Sequence, residues 1–257
     1  MTEPVHLSSR ANPLLLALRR VARDGTAYRR SGEVWLEGEH LCAAAAARDT
    51  AVRQALVSET GWTQPARRAL ARHAPRVAVV PDALFAELST LESPADIGFV
   101  MPLPAAPAPD ATMASVVLDR LQDAGNVGSI LRSAAALGVP QVLAIKGTAG
   151  LWSPKVLRAG MGAHFGLRLV EGLTEDEVVA LGLKLVGTSS HGGALLPQAR
   201  LPQPPAWLLG HEGQGVSPRL LAACAATVCI PQPGGEESLN VAAAAAICFY
   251  EALRCLQ

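Results

Sequence analysis

The stretch "SVVLDRLQDAGNVGSILRSAAALGVPQVLAIKG", residues 115–147, places two short apolar runs on either side of a helical pattern. SVVLDRL and QVLAIKG have the length and the unbroken aliphatic character of strands covered on both faces. Between them Val127, Ile130, Leu131, Ala134 and Leu137 recur at helical spacing. Asn126 stands where an N-cap is expected and Gly138 where a C′ residue belongs. Strand, helix and strand in this order make the crossover unit of a parallel sheet, because parallel neighbours cannot be joined by a tight turn.

The alternation continues to the end of the chain. Helix SPKVLRAG and extended FGLRLVEG come next, then helix TEDEVVALGL, strands KLVGTSS and AWLLG, helix SPRLLAACA, strand TVCIP and the last helix, VAAAAAICFYEALR. Helix starts are well marked: Thr174 with Glu177 has the capping-box spacing, and Ser153 and Ser217 each precede a proline at N1. The expected fold class is therefore α/β with a parallel sheet. Ligands of such sheets sit beyond the carboxyl ends of the strands.

Upstream, EVWLEG and RVAVV read as strands, and EHLCAAAAARD and DALFAELST as helices, which makes a smaller α/β domain. "MPLPAAPAPDA" (101–111) is the clearest break, because its prolines suit neither a helix nor a central strand. The expected organisation is a first domain over 1–103, a Pro/Ala-rich linker over 104–111 and a second domain over 112–257.

The chain has 257 residues, half of them hydrophobic and only 4% aromatic, so its core is built from Ala, Leu and Val and needs no disulfides. The five cysteines, Cys42, Cys224, Cys229, Cys248 and Cys255, lack a C-x-x-C pair and read as buried small hydrophobes of a reducing compartment. No signal peptide or membrane-spanning stretch is evident, and a cytoplasmic location is expected. His6, His40, His73, His164, His191 and His211 show no metal-ligand spacing, and no metal is expected. Net charge is zero but uneven: up to Arg76 there are 12 arginines against 7 acids. Arg19 and Arg20, Arg29 and Arg30, and Arg67 and Arg68 form the clusters of this basic third, and Arg suits phosphate forks and base stacking better than Lys.

Three strand ends carry polar residues among glycines. On the 126–138 helix, Arg132 falls on the side away from the apolar stripe, with Gly128, Ser129 and Ala135, a surface cleared of bulk. "WLLGHEGQGVSP" empties a strand into Gly210, Gly213 and Gly215 around Glu212, a carboxylate able to accept from hydroxyl or amino groups. "CIPQPGGEESLN" passes Ile230, Gly234 and Gly235 and then opens the last helix with Ser238, Leu239 and Asn240. Taken singly these are a solvated arginine, a glycine turn and a helix cap; at three strand ends of one sheet they read as one small-molecule site. The Lys and Ser/Thr of a P-loop are missing, and no G-x-G-x-x-G follows the first strand of either domain.

NVGSILRSAAALG, LLGHEGQGVSP and IPQPGGEESLNVAAAAAICFYEALR are similar, in order and spacing, to the three motifs of the SpoU (TrmH-like) branch of the SPOUT RNA methyltransferases. SSRANPLLLALRRVARDGTAYRRSGEVWLEGEHL resembles the substrate-binding domain often fused before them. Where that family usually has Pro, Met and Asn, this chain has Ala124, Gln232 (followed by Pro233) and His211.

The resemblance implies a C-terminal parallel-sheet SPOUT domain with a deep trefoil knot, an exception to unknotted connectivity, preceded by the smaller α/β domain as RNA substrate-binding domain. It implies S-adenosylmethionine-dependent methylation of a ribose 2′-hydroxyl in structured RNA, ribosomal or transfer, by a homodimer without metal. Gly210, Glu212, Gly213, Ile230, Ser238, Leu239 and Asn240 are then the cofactor-binding residues, and Arg132, Asn126, Glu212, Ser238 and Asn240 the catalytic set, with Arg132 serving the other protomer's cofactor. Arg19, Arg20, Arg29 and Arg30 are the RNA-binding candidates. The competing readings are a non-catalytic RNA-binding protein on a degenerate SPOUT scaffold and a nucleotide-dependent oxidoreductase, the latter weakened by the missing glycine fingerprint.

Overall fold

The computed structural model describes residues 3–189, 192–234 and 238–255; Gly235 and His191 lie outside the described residues. The chain divides into two compact units. One contains the residues up to Ala105 together with Trp152–Phe165, and the other contains Ala106–Leu151 and the residues from Gly166 on.

Along the chain the elements are β1 (Val5–His6), α1 (Pro13–Arg23), α2 (Ala27–Ser31), β2 (Glu33–Glu37), α3 (Glu39–Ala46), β3 (Gln54–Ser58), α4 (Glu59–Thr63), α5 (Pro65–Ala71), β4 (Val77–Val80), α6 (Asp82–Leu88) and β5 (Ile97–Pro102). There follow β6 (Ser115–Leu118), α7 (Ala124–Ala136), β7 (Gln141–Ile145), α8 (Pro154–Gly160), β8 (Arg168–Leu173), α9 (Glu175–Ala180), β9 (Leu185–Thr188), β10 (Ala194–Leu195), β11 (Ala206–Leu209), α10 (Pro218–Ala222), β12 (Ala226–Cys229) and α11 (Val241–Arg254).

In the first unit the sheet order is β1-β4-β3-β5-β2, with β5 antiparallel to both its neighbours and the other pairs parallel. Helix α1 begins at Asn12, whose side chain accepts from the Leu14 N–H, and buries Leu15, Leu18 and Val21 on one stripe. That stripe meets Trp35, Leu56, Val80, Phe85 and Val100 in one core. The Trp35 ring lies over Gly98, where a Cβ would stand 2.0 Å from an indole carbon. The last two residues of β5, Met101 and Pro102, come from the stretch expected to be a break. Pro102 is tolerated because β3 stops pairing at Val100, leaving only β2 alongside. Helix α8 belongs to this unit, where it packs beside β2, rather than with the alternating elements around it in sequence.

The second unit holds a seven-stranded sheet in the order β10-β12-β9-β11-β6-β7-β8, parallel in every pair, as the alternation implies. Strands such as SVVL and AWLL are buried along their whole length, which explains their unbroken apolar character. Val117, Leu143, Val170, Leu185 and Leu208 share one core with Val178 and Leu220 of the covering helices. The expected caps are formed: Thr174 and Glu177 satisfy each other's backbone N–H groups, and Ser153 and Ser217 cap α8 and α10. Gly138 adopts φ +75°, as a C′ residue should.

Three readings need correction. The N-cap of α7 is Asp123, not Asn126: the Asp123 carboxylate accepts from the Asn126 N–H at 2.7 Å, so the helix starts one turn earlier and the Asn126 side chain is released for other partners. Gly128 is buried, with α11 packed along α7, whereas Ser129, Arg132 and Ala135 are exposed together. Among the cysteines only Cys42 and Cys248 are buried; Cys224 and Cys229 are half-buried and Cys255 is exposed, all five as free thiols.

Candidate active site

Because every strand of the second sheet runs the same way, the loops after β6, β9, β11 and β12 open along one edge. The first of these is anchored from below by Asp119, 0% exposed. Its carboxylate accepts from Arg120 Nε at 2.7 Å and from the Ser217 N–H at 2.7 Å, so one buried acid ties the end of β6 to the start of α10. A buried carboxylate is retained only when paired and hydrogen-bonded in this way.

The loop after β11 is a tight turn. His211 and Gly215 exchange backbone hydrogen bonds of 3.0 and 2.8 Å, and the His211 Nδ1 accepts from the N–H groups of Gly213 and Gln214. An asparagine Oδ1 could fill the same acceptor role. Gly210 closes the turn: a Cβ there would stand 2.1 Å from the Val216 nitrogen.

Glu212 leaves this turn towards the first loop. Its carboxylate accepts from the Gln122 and Asp123 N–H groups at 3.3 and 3.2 Å and from Asn126 Nδ2 at 3.3 Å. Partial burial pushes the carboxyl up, but the backbone N–H groups and the Asn126 amide outweigh it and hold it below the ordinary glutamate value. Asn126 passes the chain on, its Oδ1 accepting from Asn240 Nδ2 at 2.9 Å. Asn240 meanwhile caps α11, with its Oδ1 accepting from Ala242 and Ala243. One side chain thus does both jobs that the sequence allows it, helix cap and site residue.

A cavity of about 730 Å³ opens between these loops, in the range of a small-molecule site. Gly210, Glu212, Gly213, Ile230, Ser238, Leu239 and Asn240 all line it. Asn126 stands behind Glu212 and Asn240 and is joined to both. Arg132 is not in the lining; it lies on the exposed face of α7, with no hydrogen bond or ion pair among the described residues. Leu221, Val228 and Ile230 add an apolar wall, and Thr188 and Ser189 come from the end of β9. Sequence reasoning passed over Asp119, Thr188 and Val228. The signal available for them was position, each standing at or just beyond a carboxyl strand end.

Residues 113–250 match the model of the SpoU rRNA Methylase family. The chain belongs to this family. Among curated SpoU relatives, it is 34% identical to the 23S rRNA (guanosine(2553)-2′-O)-methyltransferase RlmP of Bacillus subtilis, over 84% of this chain and 86% of that one. It is likewise 34% identical to the 23S rRNA (uridine(2479)-2′-O)-methyltransferase of Streptomyces viridochromogenes, over 70% and 67% of the two chains. Among solved structures, the SpoU methyltransferase AviRb of Streptomyces viridochromogenes, in complex with the cofactor AdoMet, superposes with a TM-score of 0.85 at 29% identity, covering 95% of this chain and 98% of that one.

The SpoU cavity suits a nucleoside sulfonium. Leu221, Val228 and Ile230 offer apolar contact to a flat base, and the Glu212 carboxylate, held ionised, suits hydroxyl groups and a nearby positive charge. Among the described residues no group of three or more His, Cys, Asp and Glu is placed to hold a metal, and no helix is long and apolar enough to cross a membrane.

In the first unit, the four RNA-binding candidates differ in state. Arg19 pairs with Glu87 at 2.6 Å and Arg30 with Asp24 at 2.8 Å. Arg29 is exposed with its guanidinium 5.4 Å from the Tyr28 ring centre, and Arg20 is exposed without an ion pair among the described residues. Arg68 lies 6.0 Å from the Trp62 ring centre, and Arg72, one turn on, is exposed.

Proposed function

We propose that this chain transfers the methyl group of S-adenosylmethionine to a ribose 2′-hydroxyl of structured RNA, with ribosomal RNA as the substrate class. The observation that carries this reading is the hydrogen-bonded path Asn240–Asn126–Glu212, which joins all three motif loops at the mouth of one cavity in a SpoU chain.

When bound, the cofactor supplies a methyl group already activated on a sulfonium. The protein's part is position. Gly210, Gly213, Ile230 and Leu239 hold the ligand by close backbone and apolar contact, while Glu212, Ser238 and Asn240 orient its polar groups. In-line approach of the 2′-oxygen to the methyl is the main demand on geometry. A guanidinium has no acceptor to offer, so the role of Arg132 is to stabilise the developing alkoxide or clamp the adjoining phosphate rather than to take the proton.

Arg132 lies outside the cavity of its own chain, and this supports a homodimer in which it serves the partner's cavity. The exposed surface supports the same reading: Ile247 is 41% and Tyr250 60% exposed, one helical turn apart on α11, and Ser129 and Ala135 leave α7 low beside Arg132. A monomer by light scattering at micromolar concentration would contradict it. The threading of the loops into a trefoil knot, the RNA-binding role of the first unit through Arg20 and Arg29 with Arg68 and Arg72, and a cytoplasmic location belong to the same proposal.

The test is methyl transfer from labelled S-adenosylmethionine to unmodified ribosomal and transfer RNA, followed by nuclease digestion and mass spectrometry of the nucleosides. A 2′-O-methylnucleoside that disappears with Arg132→Ala is expected. Absence of both product and cofactor binding would overturn the reading.

A further inference from the structure

Gln232 is the polar end of an otherwise apolar wall. Val228 and Ile230 precede it at intervals of two and all three line the cavity, so the side-chain alternation of β12 carries on past the last residue of the strand. Its Oε1 is buried and has no hydrogen-bond partner among the described residues. Glu212 and Asn240, by contrast, are already joined through Asn126. A buried carbonyl oxygen without a donor is costly, and a surface amide ordinarily turns to water to avoid that cost. This one stays on a cavity wall, where a ligand can bring the missing N–H.

On the proposal that the cavity takes S-adenosylmethionine, we infer that Gln232 reads the adenine: Oε1 accepts from the 6-amino group while Val228 and Ile230 contact the face of the ring. A purine needs an apolar surface against its face and a complementary group in the plane of its edge, and the Val228–Ile230–Gln232 row provides both. The ligand's other donors fit less well here. The α-ammonium would leave a cation against a neutral amide on an apolar wall, and the ribose hydroxyls are better matched by the Glu212 carboxylate. Gln232 is thus a specificity-determining residue. A base with a 6-oxo group sets acceptor against acceptor unless the amide turns over to offer Nε2, so Gln232 disfavours it, and a carboxylate at this position, with no donor to offer, would disfavour it further.

The full chain, wild type and variants, is titrated by calorimetry with S-adenosylhomocysteine and with S-inosylhomocysteine, identical except for a 6-oxo group in place of the amine. The wild type is expected to prefer the adenosyl ligand by about 5-fold. Gln232→Met, of similar length but without the acceptor, is expected to bind S-adenosylhomocysteine roughly 5- to 20-fold more weakly and to lose most of the preference. Gln232→Glu keeps the acceptor and loses the donor that an amide could turn towards a 6-oxo group, and is expected to keep or sharpen the preference. Equal preference in both variants, in either direction, overturns the assignment. A wild type that binds neither ligand overturns the cofactor reading itself, and a wild type that binds both alike overturns only the role of Gln232.

Discussion

Asn126 Oδ1 accepts a hydrogen bond from Asn240 Nδ2 at 2.9 Å, across 114 residues of sequence. The contact exists because Asp123 took the N-cap of α7 and left the Asn126 amide free. Replacing Asn126 by Ala removes this bond and the one to Glu212. At about 1 kcal/mol each, their loss is expected to lower the melting temperature by roughly 4–8 °C and, because the path holds the cavity mouth, to weaken binding of S-adenosylhomocysteine by calorimetry. Unchanged affinity would show that the path does not shape the cavity.

Arg132→Lys keeps a positive charge but loses the planar fork. Because the role proposed for Arg132 is toward the 2′-oxygen or its adjoining phosphate rather than the cofactor, cofactor affinity is expected to stay within about twofold, while single-turnover methyl transfer falls by about 100-fold or more. Near-normal turnover would remove Arg132 from the chemistry.

Gly210→Ala forces a Cβ to within 2.1 Å of the Val216 nitrogen, and that atom is backbone, which cannot rotate away. The turn closed by His211 and Gly215 is expected to open, and cofactor binding to be lost while the far-ultraviolet circular dichroism stays close to that of the wild type. His211→Asn is expected to leave binding intact, because an amide oxygen can accept the Gly213 N–H as His211 Nδ1 does.

The Glu212 carboxyl is held below its ordinary value in the folded chain. Its ionised form therefore contributes stability that is complete above the unfolded glutamate value of about 4.3 and is lost as pH falls through the lower folded value. Melting temperatures measured from pH 7 to pH 3 are expected to converge between wild type and Glu212→Gln at the acid end, with the wild type higher at neutral pH. Parallel curves would contradict the assignment.

Gly98→Ala would drive a methyl into the Trp35 indole, which is 1% exposed and packed in the first core. Destabilisation of about 2–3 kcal/mol is expected, read as a melting temperature lower by roughly 10 °C. A fall of less than 2 °C would mean that the ring has room to move.

The parallel sheet was legible because its evidence is local: unbroken apolar runs, Ser-Pro and Thr-x-x-Glu helix starts, and glycines at strand ends. The three loops were legible for the same reason. The cap of α7 was not, since Asp123 and Asn126 are both good cap residues three positions apart and only the place of Glu212, remote in sequence, decides which is spared. Strands of two residues, such as β1 and β10, carry no periodicity to detect. The cavity walls at Thr188 and Gln232 depend on which strands become neighbours, and Pro102 could end an interior strand only because its partner β3 is shorter.

The excursion of Trp152–Phe165 into the first unit makes that unit discontinuous in the gene. The chain leaves it at Ala105, returns for fourteen residues and leaves again. Cutting the polypeptide there would deprive the N-terminal fragment of buried Val156 and Leu157 and leave those side chains stranded on the other. A fragment meant to fold as the first unit must therefore carry residues 152–165 as well as those before the proline-rich stretch.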